Sequence, residues 1–184
     1  MGNDDSVASG LVNRFGDYDL EYVYLRTTET QRGEILELWQ NEEAGIQGSD
    51  ADRSSREAVL LVRTGSGELA GVSNVALVRL KDGRRYYSCS VFLRRRDRVP
   101  HLMVAICKAT RDFLRNFKHP VSQPAGILHV NENPKLMRPG IRRLFTRNGY
   151  QYKGQTSLGE DVWVVEFAEP DQRALSPTTP KNGE

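Results

Sequence analysis

The stretch "VFLRRRDRVPHLMVAICKATRDFL", Val91 to Leu114, joins an apolar strand end to a knot of arginines, a proline and a long amphipathic pattern. Leu102, Ile106, Phe113, Leu114 and Phe117 recur at helical spacing, which predicts a helix beginning near His101. Pro100 suits the first helical turn, where its missing N–H costs nothing. A strand that feeds a basic turn and then a helix can hold an anion, because the first N–H groups of a helix have no internal partner. The same pattern also describes a solvated turn that merely precedes a helix.

On the N-terminal side of this stretch, three apolar runs are separated by turns. "AVLLVRT" and "LAGVSNVALVRL" flank "GSGE", and "DGRR" leads into "YYSCSVFL". Glycine turns between β-branched runs predict consecutive hairpins, hence an antiparallel meander. Further upstream, "LEYVYLR" (Leu20 to Arg26) alternates like a strand. It is followed by a helix carrying Ile35, Leu38 and Trp39 on one face, with Thr28 and Gln31 placed for a capping box. "AGIQGSDADRSSRE" is predicted to be a polar loop. Downstream, "AGILHV" (Ala125 to Val130) is a short buried strand, and "NENPKLMRPGIRRLFTRNGY" holds a helix with Ile141, Leu144 and Phe145 on its apolar side. Asn148-Gly149 supplies a left-handed stop for that helix. "YQYKGQTS" and "EDVWVVEF" close the chain as a strand pair. The predicted class is α/β (α+β): a mixed, mostly antiparallel sheet of about six to seven strands flanked by helices.

The chain of 184 residues suits one domain, expected over residues 18–169, between a flexible arm (1–17) and a disordered tail (170–184). Hydrophobic content of 38% and charged content of 27% fit a globular protein. A formal net charge of +2 is too small to argue for nucleic acid or membrane without local clustering. Cys89 and Cys107 have no ligand-like pairing, so neither a metal site nor a disulfide framework is expected, and a reducing, cytoplasmic location is. "MGNDDS" matches the loose myristoylation pattern through Gly2 and Ser6, but it reads more simply as a frayed terminus without a secretory signature.

The element order, with its basic turn after a meander strand, resembles the GNAT-type N-acetyltransferases over roughly Leu20 to Phe167. Three local matches carry the resemblance. Val91 fits the family's strand end, with Arg96 opening the phosphate turn; "ILHVNEN" is similar to the next strand, ending at an asparagine; and "RRLFTRNGYQYKG" is close to the closing helix. The resemblance implies transfer of an acetyl or related acyl group from acyl-CoA, as co-substrate, to a primary amine of a small-molecule or macromolecular acceptor. It implies that backbone N–H groups of Val91, Phe92 and Leu93 hold the acyl carbonyl. Arg96, Arg98, Val99, His101 and the following helix start would hold the phosphates, and Asn131 would contact the pantetheine side.

The sequence departs from the family at two places. Val99 and His101 stand where the phosphate turn usually has small residues, with Pro100 between them. Arginine side chains then take over phosphate contacts, or the site has decayed. Phe145 stands where the family usually has a tyrosine acid, which leaves Tyr150 or Tyr152 as replacements if the strand brings them inward. His129 shares a strand face with Ile127 and Asn131 and is a candidate base, against the alternative of a hydrogen-bonded structural histidine. Tyr86 and Tyr87 alternate, so one is expected in the core and the other along a substrate groove. Asp50 and Asp52 either attract a cationic amine or, with Arg53 and Arg56 close behind them, belong to a solvent-facing loop. Two rival readings come from other classes. One is a degenerate binding module without catalysis; the other is a nucleic-acid protein using Arg84, Arg85, Arg94–Arg98, Arg138, Arg142 and Arg143.

Overall fold

The computed structural model describes residues 12–167. The outer parts of the expected arm and tail, including Gly2, Ser6 and residues 170–184, lie outside the described residues. The inner part of the arm is not an arm. Val12–Phe15 forms β1, which turns through Gly16 (φ +56°) and pairs antiparallel with β2 (Tyr18–Tyr22). That extra strand is why the sheet has eight strands and not six to seven.

Helix α1 (Glu29–Asn41) begins at the predicted capping box: the Gln31 N–H donates to Thr28 Oγ1, and the Thr28 N–H donates to Gln31 Oε1. Its Ile35, Leu38 and Trp39 are buried, as their spacing predicts. The polar loop after it contains a second helix, α2 (Gly48–Arg56). Only Ala51 and Ser55 of α2 are buried, one turn apart, so no apolar periodicity marks it in the sequence. An ion pair ties it down instead, from Asp52 to the buried Arg32 of α1, while Asp52–Arg56 lies within the helix. Asp50 pairs with Arg53. Both aspartates thus have arginine partners, Asp52 across to α1 and Asp50 within α2.

The meander follows as predicted: β3 (Ala58–Thr64), β4 (Leu69–Arg79) and β5 (Arg85–Leu93), each antiparallel to the next. A 3₁₀ turn (Arg95–Asp97) then leads to α3 (Leu102–Asn116), β6 (Gly126–Asn131), α4 (Pro139–Arg147), β7 (Gln151–Gln155) and β8 (Asp161–Glu166). The strand order is β1-β2-β3-β4-β5-β6-β8-β7, and only β5–β6 is parallel. Gly126 opens β6 because a Cβ there would stand 2.1 Å from the Val165 carbonyl oxygen.

Side chains alternate across the sheet. Leu20, Tyr22, Leu60, Val62, Tyr87, Leu93 and Ile127 pack under α3 with Leu102, Ile106 and Leu114. Leu61, Val72 and Ala58 pack under α1 and α2 with Ile35 and Trp39. Both Tyr86 and Tyr87 are fully buried, which corrects the expectation that one lines a groove: Tyr86 packs on Leu128 and Val164, and its hydroxyl donates to Glu166.

Candidate functional site

The β5–β6 ladder is short. Tyr87 pairs with Ile127 and Ser88 with Leu128, and there pairing stops, although β5 runs on to Leu93 and β6 to Asn131. The two strands therefore part, and their ends face each other across a gap. Which backbone groups face it follows from the period-2 alternation of a ladder. The Arg94 N–H donates to Ala70 O on the β4 side, whereas Arg85 O accepts from the Ala125 N–H on the β6 side. Even-numbered residues of β5 thus aim their backbone at β4, and odd-numbered ones aim at the gap. Val91 and Leu93 present N–H groups there; Phe92 does not, which removes it from the expected set of carbonyl-binding donors.

The wall of the gap on the α3 and α4 side holds His129 and Tyr150. Both are buried, with His129 Nε2 3.2 Å from the Tyr150 hydroxyl. Local chain chemistry puts Tyr150 there. Helix α4 ends at Arg147 with Asn148 as its cap, and Gly149 (φ +84°) takes the left-handed conformation. The Gly149 N–H then donates to Thr146 O and the Tyr150 N–H to Phe145 O, a Schellman motif. This geometry stacks the residue after the glycine back onto the helix. The Tyr150 ring lies 5.3 Å from Phe145, and Phe145 in turn stacks on Trp163. Tyr150 is brought beside the position where the resemblance expects a tyrosine and the chain has Phe145. Tyr152, the other candidate, points outward and is 47% exposed.

Burial lowers the His129 pKa from its ordinary 6.5 to about 4, with a hydrogen bond to the Cys89 backbone pulling the other way. The ring is neutral at physiological pH, and so depressed a value makes it a poor base for an amine. Burial also pushes the Tyr150 phenol well above its ordinary value, so it keeps its proton. Cys89 is buried with its thiol pushed up likewise, consistent with a structural thiol. Asn131 shares this wall and is 4% exposed, and its Nδ2 has no hydrogen-bond partner among the described residues.

Two of the four arginines of the knot, Arg94 and Arg96, are taken up by carboxylates of the protein. Arg94 is buried and pairs with Glu68 and with Asp97, which also accepts from the Tyr18 hydroxyl. Arg96 donates to both oxygens of Glu68 at 2.7 Å. The Arg95 N–H donates to Glu42 at the end of α1. The Val99 N–H is taken by Asp97 O, so Val99 offers no backbone donor. Pro100 lies one residue before the helix cap and not in its first turn. The cap is His101, exposed and left-handed at φ +64°. Beyond it, the N–H groups of Met103 and Val104 have no acceptor among the described residues. Arg98 is exposed, and its Nε donates to Leu93 O at 3.1 Å. Elsewhere, Arg84 pairs with Asp82 and Glu166, and Arg142 holds the buried Asp161 carboxylate with two hydrogen bonds. These pairs offset the charge of four of the arginines that a nucleic-acid reading needs, Arg84, Arg94, Arg96 and Arg142.

No protein-family model matches the sequence, and no curated protein matches it. Solved structures do match. A GNAT-family acetyltransferase from Listeria monocytogenes superposes with a TM-score of 0.62 at 14% identity, over 85% of this chain and 99% of that one. The fold is that of the GNAT acyl-CoA N-acyltransferases. Ribosomal-protein-S5-alanine acetyltransferase from Vibrio fischeri (TM-score 0.56, 10% identity, 84% and 94% covered) has the same GNAT fold. So does a GNAT-family N-acetyltransferase from Escherichia coli in complex with CoA (TM-score 0.53, 11% identity, 91% and 86% covered). The sequence signals that carried the GNAT likeness, the β5 end, "ILHVNEN" and the α4–β7 cap, all converge on the gap. The Schellman signature "FTRNGY" is the signal by which Tyr150 is found from sequence.

Proposed function

We propose that the protein transfers an acyl group from an acyl-CoA thioester to a primary amine, with the gap between β5 and β6 as the donor site. The observation that carries this reading is the parting of the two strands, which leaves Val91 and Leu93 N–H groups pointing at an open edge in a GNAT fold. A thioester arm is an extended chain of amides, and an unpaired strand edge suits it as a third strand would. The unpartnered Asn131 Nδ2 fits the same ligand, since a buried amide without an acceptor is costly and a pantetheine carbonyl supplies one. The start of α3 fits phosphate through the Met103 and Val104 N–H groups, and Arg98 of the preceding turn has no carboxylate partner among the described residues.

The acyl-CoA supplies an electrophilic thioester carbonyl and a sulfur leaving group. The Val91 N–H polarises that carbonyl. Tyr150 holds a proton at its phenolic oxygen and is the acid for the departing sulfur, while His129 orients the hydroxyl through Nε2. His129 is thereby a positioning residue and not the amine's base. The acceptor reaches the gap from the opposite face, where Ser88 and Ser90 of β5 offer no ionisable side chain. Its amine is deprotonated by solvent.

A thiol-release assay with acetyl-CoA and a panel of primary amines tests the reading; acceptor-dependent release supports it, and none with any amine contradicts it. Asn131→Ala is expected to weaken CoA binding about three- to tenfold, the worth of one hydrogen bond, without lowering Tm. Titration calorimetry and thermal melts measure both, and unchanged affinity removes Asn131 from the site.

A further inference from the structure

Arg98 stands apart from Arg94 and Arg96, the two arginines of the turn that are paired with carboxylates. Arg94 and Arg96 are committed to Glu68 and Asp97, whereas Arg98 has no carboxylate partner among the described residues. Its Nε instead donates to the Leu93 carbonyl. Leu93 is odd-numbered on β5, so this carbonyl faces the gap, where an entering amide chain would seek an acceptor. Arg98 is also only two residues from Pro100 and three from the His101 cap in the chain, so a phosphate bound at the start of α3 lies within the same turn.

We propose that Arg98 is a specificity-determining residue that occupies the Leu93 carbonyl until a phosphate draws it away, so that the donor site opens to phosphate-bearing CoA and discriminates against the bare pantetheine arm. This rests on the acyl-CoA reading. A ligand with phosphates replaces the Arg98–Leu93 hydrogen bond by a charge-assisted one and frees Leu93 O for its own amide N–H. A ligand without phosphates must break the same hydrogen bond and offers the guanidinium no anion in exchange. Arg98 therefore acts with opposite sign on the two ligands.

The test compares CoA and pantetheine on wild-type protein, Arg98→Ala and Arg98→Lys, by calorimetry for CoA and saturation-transfer NMR for pantetheine. Arg98→Ala is expected to weaken CoA about tenfold and to strengthen pantetheine roughly threefold. Arg98→Lys keeps the charge but lacks the planar Nε donor, so it is expected to retain more CoA affinity than Arg98→Ala. A loss of both affinities in the same proportion, or unchanged pantetheine binding in Arg98→Ala, overturns the proposal while leaving the acyl-CoA reading intact. Absence of CoA binding to the wild type overturns that reading and the proposal with it. Arg98 is exposed, so circular dichroism of the variants is expected to match the wild type.

Discussion

Replacing Tyr150 by Phe is expected to lower kcat about 100-fold or more while leaving CoA affinity within roughly twofold, because general-acid groups contribute in that range. The ring of Phe fills the same space against Phe145 and His129, so the substitution removes only the hydroxyl. Its proton is retained because burial holds the phenol far from ionisation, which suits a group that donates to a developing thiolate and recovers the proton afterwards. The assay uses whichever primary amine supports turnover in the wild type, with kcat and KM determined separately. Loss confined to kcat places the hydroxyl in the transition state. A kcat within twofold of wild type takes Tyr150 out of the chemistry.

Acid is expected to destabilise the protein through His129. The folded-state pKa, about 4, lies below the ordinary 6.5, so the unfolded chain binds the proton more readily than the folded one does. The stabilisation from keeping this ring neutral and buried is fully present above pH 6.5 and is lost progressively as pH falls toward 4. A displacement of this size corresponds to about 3 kcal/mol. Urea unfolding at pH 7 and at pH 4 measures the loss in the wild type and in His129→Gln. Carboxylates contribute to both proteins alike, so the difference between the two slopes isolates His129. Equal slopes would show that the ring is already protonated or solvated in the folded state.

Much of the architecture is legible in the sequence because its determinants are local. Thr28 and Gln31 announce α1, the glycine turns announce the β3–β4–β5 meander, and Asn148-Gly149 announces the end of α4. The two missed elements lack such determinants. β1 has one polar and one basic residue within its four and is mostly exposed, so its strand character comes from pairing with β2. α2 is held by an ion pair to α1 and shows no apolar stripe. At the site, His129 and Tyr150 are identifiable as residues from the strand and cap patterns, but their contact depends on two segments 21 positions apart meeting in space. The fate of the arginines was not legible at all. Glu68, in the β3–β4 turn, lies 26 positions before Arg94, and only the fold brings them together. Local spacing therefore overstates how many arginines of the turn are available to a ligand.

Amide hydrogen exchange with and without saturating CoA tests the donor site residue by residue. On the acyl-CoA reading, exchange slows at Val91 and Leu93, whose N–H groups face the parted strands, and at Met103 and Val104 at the start of α3. Unchanged exchange at all four positions with CoA in millimolar excess would contradict it.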